Sequence, residues 1–229
     1  MDEVIVGIDT ATVAGSVALY CGGRIVASCM LNVIGVSHSA YILRHIDLLL
    51  RECGLDTAAL TACAVVTGPG SFTGLRVGMA TAQGLAIGRN LPLMPVSSLQ
   101  TIAYACGRRD MPVCAVIDAR KHEVYAAVYR WQDSLPVPQG EEMVFPAAAL
   151  REYIDSPTLV VGSGVAVYRR ELLDALGDMA QLVDDTDHWC LAAAAIKLAL
   201  CRGKTVDYTA LLPAYVRASD AELQRRSDK

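Results

Sequence analysis

The chain has 229 residues, 53% of them apolar and 19% charged, enough for one large domain or two small ones with a substantial core. Its formal net charge of −4 and 6% aromatic content argue against a protein that binds nucleic acid alone. Such affinity comes mostly from Lys and Arg on phosphates and from bases stacked on aromatic rings.

Residues 4–9 read as a strand, residues 16–20 as a second, and Gly22-Gly23 as a hairpin turn into a third over 24–32. Ser37 or Ser39 can cap a helix that runs to about Cys53 and stops at Gly54, with Ile42, Ile46, Leu49 and Leu50 on one face. A β-branched strand over 62–67 enters the turn Gly68-Pro69-Gly70, and a helix capped by Ser71 follows at once. A short strand over 93–96 and a helix from Ser98 to about Cys106 end this half.

The order then starts again. Strands are expected over 113–118, 123–130 and, more weakly, 142–145. A helix from 146 to about 154, a strand over 158–161, a helix over 167–176, a strand over 181–183 and a helix over 187–202 complete it. Both halves begin alike: Val6-Gly7-Ile8-Asp9-Thr10 and Ala115-Val116-Ile117-Asp118-Ala119 each end an apolar strand on Asp before a hairpin. Strand-strand-strand-helix-strand-helix-strand-helix is a ribonuclease-H-like unit. Two in tandem give an α/β, actin-like (ASKHA) architecture, with domains expected at 1–108 and 109–229. In that architecture nucleotide sits between the halves, held by the two strand-turn-strand loops.

The helix after Gly70 breaks a propensity rule. It carries Gly74, Gly78 and Ala82 on one stripe and Ala80, Gly84 and Gly88 on another, and each interior Gly costs roughly 1 kcal/mol relative to Ala. Such a loss points to another backbone coming very close, as in small-xxx-small packing. A Gly-rich turn at a helix N-terminus is also an anion site in general. Here it lacks both the Gly-Lys-Ser/Thr ending and the Gly-x-Gly-x-x-Gly spacing, so close packing is the favoured reading.

The chemistry of an actin-like kinase is thin. The loops Asp9-Thr10-Ala11-Thr12 and Asp118-Ala119-Arg120-Lys121 lack the glycine that lets backbone approach phosphate. Asp9, Thr10 and Asp118 are weak nucleotide-binding candidates. The carboxylates of Asp9 and Asp118 suit either a hydrated magnesium ion or the capping of a turn. Gly162-Ser163-Gly164 is a weak adenosine contact. His38 and His45 stand seven apart rather than four, too far for one ion, so no metal site is expected. Ser71 has no Gly-x-Ser-x-Gly frame and no local base, and no catalytic residue stands out.

The start Met1-Asp2-Glu3 is not a basic leader, and residues 190–201 are too short and, with Lys197, too polar for a membrane span. Eight cysteines without a Cys-x-x-Cys pair read as reduced, buried residues of a cytoplasmic protein.

Three blocks together resemble the bacterial TsaB (YeaZ) family. They are Ile8-Asp9-Thr10-Ala11-Thr12, the run Gly68-Pro69-Gly70-Ser71-Phe72-Thr73-Gly74-Leu75-Arg76-Val77-Gly78, and Ile117-Asp118-Ala119-Arg120-Lys121-His122-Glu123-Val124-Tyr125. The resemblance implies a non-catalytic cytoplasmic subunit that binds and activates the catalytic TsaD subunit and works with TsaE. Together they make threonylcarbamoyladenosine next to the anticodon of tRNA. TsaD carries a His-x-x-x-His metal motif that the helix around residues 37–45 lacks. The resemblance further implies pairing through the first helix and the Gly-rich helix, with TsaD or, when isolated, with a second copy. Ile42, Ile46, Leu50, Gly74, Gly78 and Ala82 are the interface residues this suggests, partly exposed in the monomer. No cofactor is expected to bind tightly to this chain alone, with ATP and magnesium at most at a subunit junction. RNA contact, for example through Arg217, Arg225 and Arg226, is expected only within the complex. The alternative is a free-standing actin-like ATPase or phosphotransferase, which the degenerate aspartate loops disfavour.

Overall fold

A computed structural model describes residues 3–31, 38–183, 186 and 189–216. Strand β1 (Val4–Asp9) is buried at all six positions because both of its faces are covered. It pairs antiparallel with β2 (Gly15–Cys21), which pairs with β3 (Arg24–Leu31) through the Gly22-Gly23 turn. On its other side β1 runs parallel to β4 (Ala62–Val66), and β4 to β5 (Leu93–Val96). Helices α1 (His38–Glu52) and α2 (Phe72–Ala86) supply the crossovers. The first sheet therefore has the order β3-β2-β1-β4-β5.

Strand alternation sends Val6, Ile8, Val17 and Leu19 to α1 and α2. It sends Ile5, Ala18, Ala64 and Val66 to the opposite face, where they meet Ala192, Ala195, Ile196 and Ala199 of α5 (Leu191–Arg202). Gly7 lies mid-strand because a Cβ there would overlap the Ala192 carbonyl oxygen.

The second sheet, of order β11-β10-β6-β7-β8, comprises β6 (Val113–Asp118), β7 (Glu123–Gln132), β8 (Leu135–Pro138), β10 (Thr158–Val161) and β11 (Ala180–Val183). Strand β9 (Met143–Pro146) also pairs with β7. Helix α4 (Ser163–Leu176) covers one face through Val165, Tyr168 and Leu172. The other face is covered by α3 (Ser98–Ala105) from the first half, through Leu99, Ile102 and Ala103.

The two sheets lie on either side of residues 108 and 109, and their final helices are exchanged. Helix α3 covers the second sheet, α5 covers the first, and α3 packs on α5. Helix α5, which falls within the second expected domain (109–229), thus packs on the sheet of the first (1–108). Gln100 Nε2 donates to the Pro136 carbonyl at 2.9 Å and Arg202 Nη1 to Gln100 Oε1 at 2.9 Å. Glu142 accepts from Ser97 Oγ and from Tyr129 Oη. These bonds tie the halves of an actin-like fold.

The third strand expected over 142–145 is present as β9, and β8 is an additional strand ahead of it. Other expectations change. The helix expected from 146 to 154 is a 3-10 segment, Ala147–Tyr153. Helix α5 starts at Leu191, with Asp187 outside the described residues. After α5 the chain turns at Gly203 and bridges Val206 to Leu93 beside β5. It then runs along α2, with Leu211 buried.

Candidate functional site

Asp9 ends β1 with its side chain directed into the molecule, and the residue is 1% exposed. Oδ1 accepts the Ala11 N–H at 3.0 Å, whereas Oδ2 has no partner among the described residues. Burial pushes this carboxyl up to about 6, opposed only by the Ala11 hydrogen bond.

The turn after it is closed by the molecule's own backbone. Thr10 Oγ1 donates to the Gly74 carbonyl at 2.7 Å, and Ser71 N–H donates to the Ala11 carbonyl at 2.7 Å. A Cβ at Gly70, Gly74 or Gly78 would overlap Ala11 O, Thr10 O or Thr10 Oγ1 respectively. Gly68 and Gly70 take φ of 122° and 159°, as the turn requires. The glycine stripe thus meets another backbone at close range. That backbone is the chain's own 10–11 turn rather than a second helix.

In the second half, Asp118 Oδ1 accepts from Tyr168 Oη at 2.7 Å and from the Arg120 N–H at 2.7 Å. The Arg120 guanidinium lies 3.4 Å from Oδ2. Desolvation, then the hydrogen bond and charge of Asp118, push the Tyr168 phenol up to about 12. Arg120, Lys121 and His122 all take left-handed backbone, and His122 Nδ1 meets Glu171 Oε1 at 3.0 Å. A Cβ at Gly162 would overlap the Val116 carbonyl, and Gly164 abuts the backbone of Ile117 and Asp118. That glycine turn therefore seats α4 on β6.

Asp9 and Asp118 share no hydrogen-bond partner. The magnesium-nucleotide group that the fold implies does not fit the first loop: Asp9 is closed off and the glycine turn lies against Thr10 and Ala11. Among the described residues no three His, Cys, Asp or Glu side chains are grouped to hold a metal. His45 Nδ1 pairs with the Tyr41 carbonyl at 2.8 Å. Cysteines 63, 106 and 114 are buried, but Cys201 is exposed, against the expectation that all eight are buried.

The expected interface residues need correction. Ile42, Ile46, Leu50, Gly74, Gly78 and Ala82 are all buried within the monomer. The three apolar residues of α1 rest on the sheet, where each burial contributes roughly 1.5–3 kcal/mol, so folding itself claims this face. The exposed face of the same helices is different. On α1 it carries Leu43 and Leu48, 55% and 47% exposed, with Arg44, Asp47 and Arg51. On α2 and just beyond, it carries Thr73, Ala80, Gly84 and Ile87, the last 61% exposed. A Cβ at Gly84 would meet nothing within 4 Å. The signal for this face was the second small-residue stripe, Ala80–Gly84–Gly88, together with apolar residues of α1 that lie off its core-facing side. Among the described residues no helix is long and apolar enough to cross a membrane.

Residues 32–182 match the family model described as TsaD: tRNA N6-adenosine threonylcarbamoyltransferase. The tRNA threonylcarbamoyladenosine biosynthesis protein TsaB of Escherichia coli is 41% identical over 140 residues, 60% of this chain and 59% of that protein. Its counterpart in Haemophilus influenzae is 34% identical over 180 residues, 72% of this chain and 73% of that one. The crystal structure of YeaZ from Pseudomonas aeruginosa superposes with a TM-score of 0.79 at 32% identity, covering 93% of this chain and 99% of that one. With its sheets, exchanged helices and glycine turn accounted for, the chain belongs to the TsaB (YeaZ) family, within the wider family that the TsaD model describes.

Proposed function

We propose that this protein is a non-catalytic, cytosolic subunit of the machinery that forms threonylcarbamoyladenosine in tRNA, and that it works by binding a TsaD-type catalytic partner. The observation that carries the reading is a contrast between two places in the fold. Asp9 is buried and Asp118 is engaged by Tyr168 and Arg120, whereas α1 and α2 present an outer face of small and apolar residues with room at Gly84. The TsaD family model spans α1 and α2, so a TsaD partner carries counterparts of both helices. Two such pairs suit a four-helix contact, and a small-residue stripe lets the axes come close. TsaE joins the assembly, and tRNA is bound by the assembly rather than by this acidic chain. In isolation the same face pairs with a second copy.

Gly84→Arg tests this. It places a long charged side chain on the outer face without touching the core, so the variant should melt no earlier than the wild type. It should elute as a monomer and fail to capture TsaD of the same organism. Undiminished capture by a folded Gly84→Arg protein would refute the reading. The free-standing ATPase reading requires Asp9 to be reachable, and titration with ATP and magnesium tests it.

A further inference from the structure

The second sheet leaves a gap along β7. Strand β8 pairs with Tyr129–Gln132 and β9 with Glu123–Ala126, so Ala127 and Val128 lie between the two pairings. The loop 139–142 joins β8 to β9 there, held by the Gln139 N–H, which donates to the Val128 carbonyl at 2.8 Å. This loop borders a cavity of about 210 Å³. An apolar cavity of about 150 Å³ holds a benzene ring, so this one has room for a single ring with a short substituent.

The floor of the cavity is apolar. It is made by Cys114 of β6, Ala126 of β7, Phe145 of β9 and Leu150 of the 3-10 segment, none more than 7% exposed. Tyr153 also lines it, with its ring stacked on Phe145 at 4.2 Å and planes 15° apart. Three exposed charged residues complete the lining: Arg130, Glu141 and Asp155. Two of them are already linked, because Ser156 Oγ accepts from Arg130 Nη2 at 3.2 Å and donates to Asp155 Oδ1 at 3.0 Å. Glu141 makes no hydrogen bond or ion pair among the described residues. The uncommitted charge at this cavity is therefore a carboxylate.

We propose that the cavity is a binding site for a small cation with an apolar body, an amidinium or ammonium group on a single ring. The ring rests on the floor of Cys114, Ala126 and Leu150, where burial supplies most of the attraction. The cationic group lies between the Glu141 carboxylate, which can accept its N–H donors, and the face of Tyr153. An anionic ligand would meet Glu141 and an Arg130 already engaged by Ser156. The neighbouring Glu142 ties the two halves through Ser97 and Tyr129, so an occupant resting on Glu141 also holds the segment that joins them.

The chain contains two phenylalanines, Phe145 at the cavity and Phe72 on α2 in the other half. Fluorine-labelled phenylalanine therefore reports binding with an internal control. The full chain is titrated with benzamidine, and with benzyl alcohol and benzoate as a neutral and an anionic ring of similar size. Benzamidine should shift the Phe145 resonance, leave Phe72 in place and raise the melting temperature. It should bind at least about tenfold more tightly than either other probe. Glu141→Gln should lower benzamidine binding to the level of benzyl alcohol. Glu152→Gln removes a nearby carboxylate that does not line the cavity, and should leave binding unchanged. A preference for benzoate would overturn the assigned charge. Equal binding of all three probes, or wild-type binding by Glu141→Gln, would overturn the cation site. No shift at Phe145 with any probe would overturn the cavity as a binding site.

Discussion

Asp9→Asn should stabilise this protein at neutral pH, although it removes a charge from the most recognisable loop of the fold. The carboxyl is buried, one oxygen is unpartnered, and burial lifts its pKa from 3.8 to about 6. Because the native state holds this proton more tightly than the unfolded state, the contribution is complete below pH 3.8. It is lost as pH rises toward 6. A shift of about two pKa units corresponds to about 3 kcal/mol of cost once the group is ionised. Asn imitates the protonated form and keeps the acceptor for the Ala11 N–H. The variant should therefore gain about 2–3 kcal/mol at pH 7 and almost nothing at pH 4. Urea unfolding of both proteins at pH 4, 5, 6 and 7 reads this directly, since the midpoint changes while the slope stays constant. A variant no more stable than wild type at pH 7, or a gain that does not depend on pH, would refute the placement of a buried carboxylate at this turn.

Two glycines on one helix should respond in opposite ways. Gly78→Ala drives a methyl group into Thr10 Oγ1 and disturbs its bond to the Gly74 carbonyl, costing about 1–3 kcal/mol. Gly84→Ala meets open space and gains up to about 1 kcal/mol of helix propensity. Comparative thermal melts decide, and equal destabilisation would contradict the assignment of inner and outer stripes. Calorimetry of the isolated chain with ATP and magnesium should show no tight binding, and a sub-micromolar complex abolished by Asp9→Asn would contradict the closed first loop. Filter binding should show weak, salt-sensitive tRNA binding by the isolated chain; a tight complex at physiological salt would contradict it. Arg217, Arg225 and Arg226, the basic residues named for RNA contact, lie outside the described residues.

The first half was largely legible because its signals agree at every level. Gly22-Gly23, Gly54, the Gly68–Gly70 turn and the Ser71 cap each mark an element boundary found in the fold. The second half was harder to read. Pro136 and Pro138 obscure β8, since proline is confined to short or edge strands. The run Ala147–Tyr153 has helix-forming composition, yet folds as 3-10 against the sheet. The exchange of α3 and α5 leaves no local trace, because an apolar helix face does not say which sheet it covers. The same limit explains the error over the interface. Helical spacing showed that Ile42, Ile46 and Leu50 share a face and that Gly74 and Gly78 are forced into close contact. It did not show that the contact was Thr10 of the same chain. The course of residues 203–216 along α2 was invisible because it pairs residues more than a hundred positions apart, such as Gln83 with Tyr208.

The central claim is that this chain supplies a surface and no chemistry. The most direct measurement is reconstituted formation of threonylcarbamoyladenosine on tRNA by this chain, TsaD and TsaE of one organism. The chain is supplied as wild type, as Gly84→Arg, or as the double variant Asp9→Asn/Asp118→Asn. The account predicts full activity with the double variant, none with Gly84→Arg, and none from the chain alone. Loss of modification by a double variant that still binds TsaD with wild-type affinity would contradict it, because the chain's own carboxylates would then be taking part in the reaction.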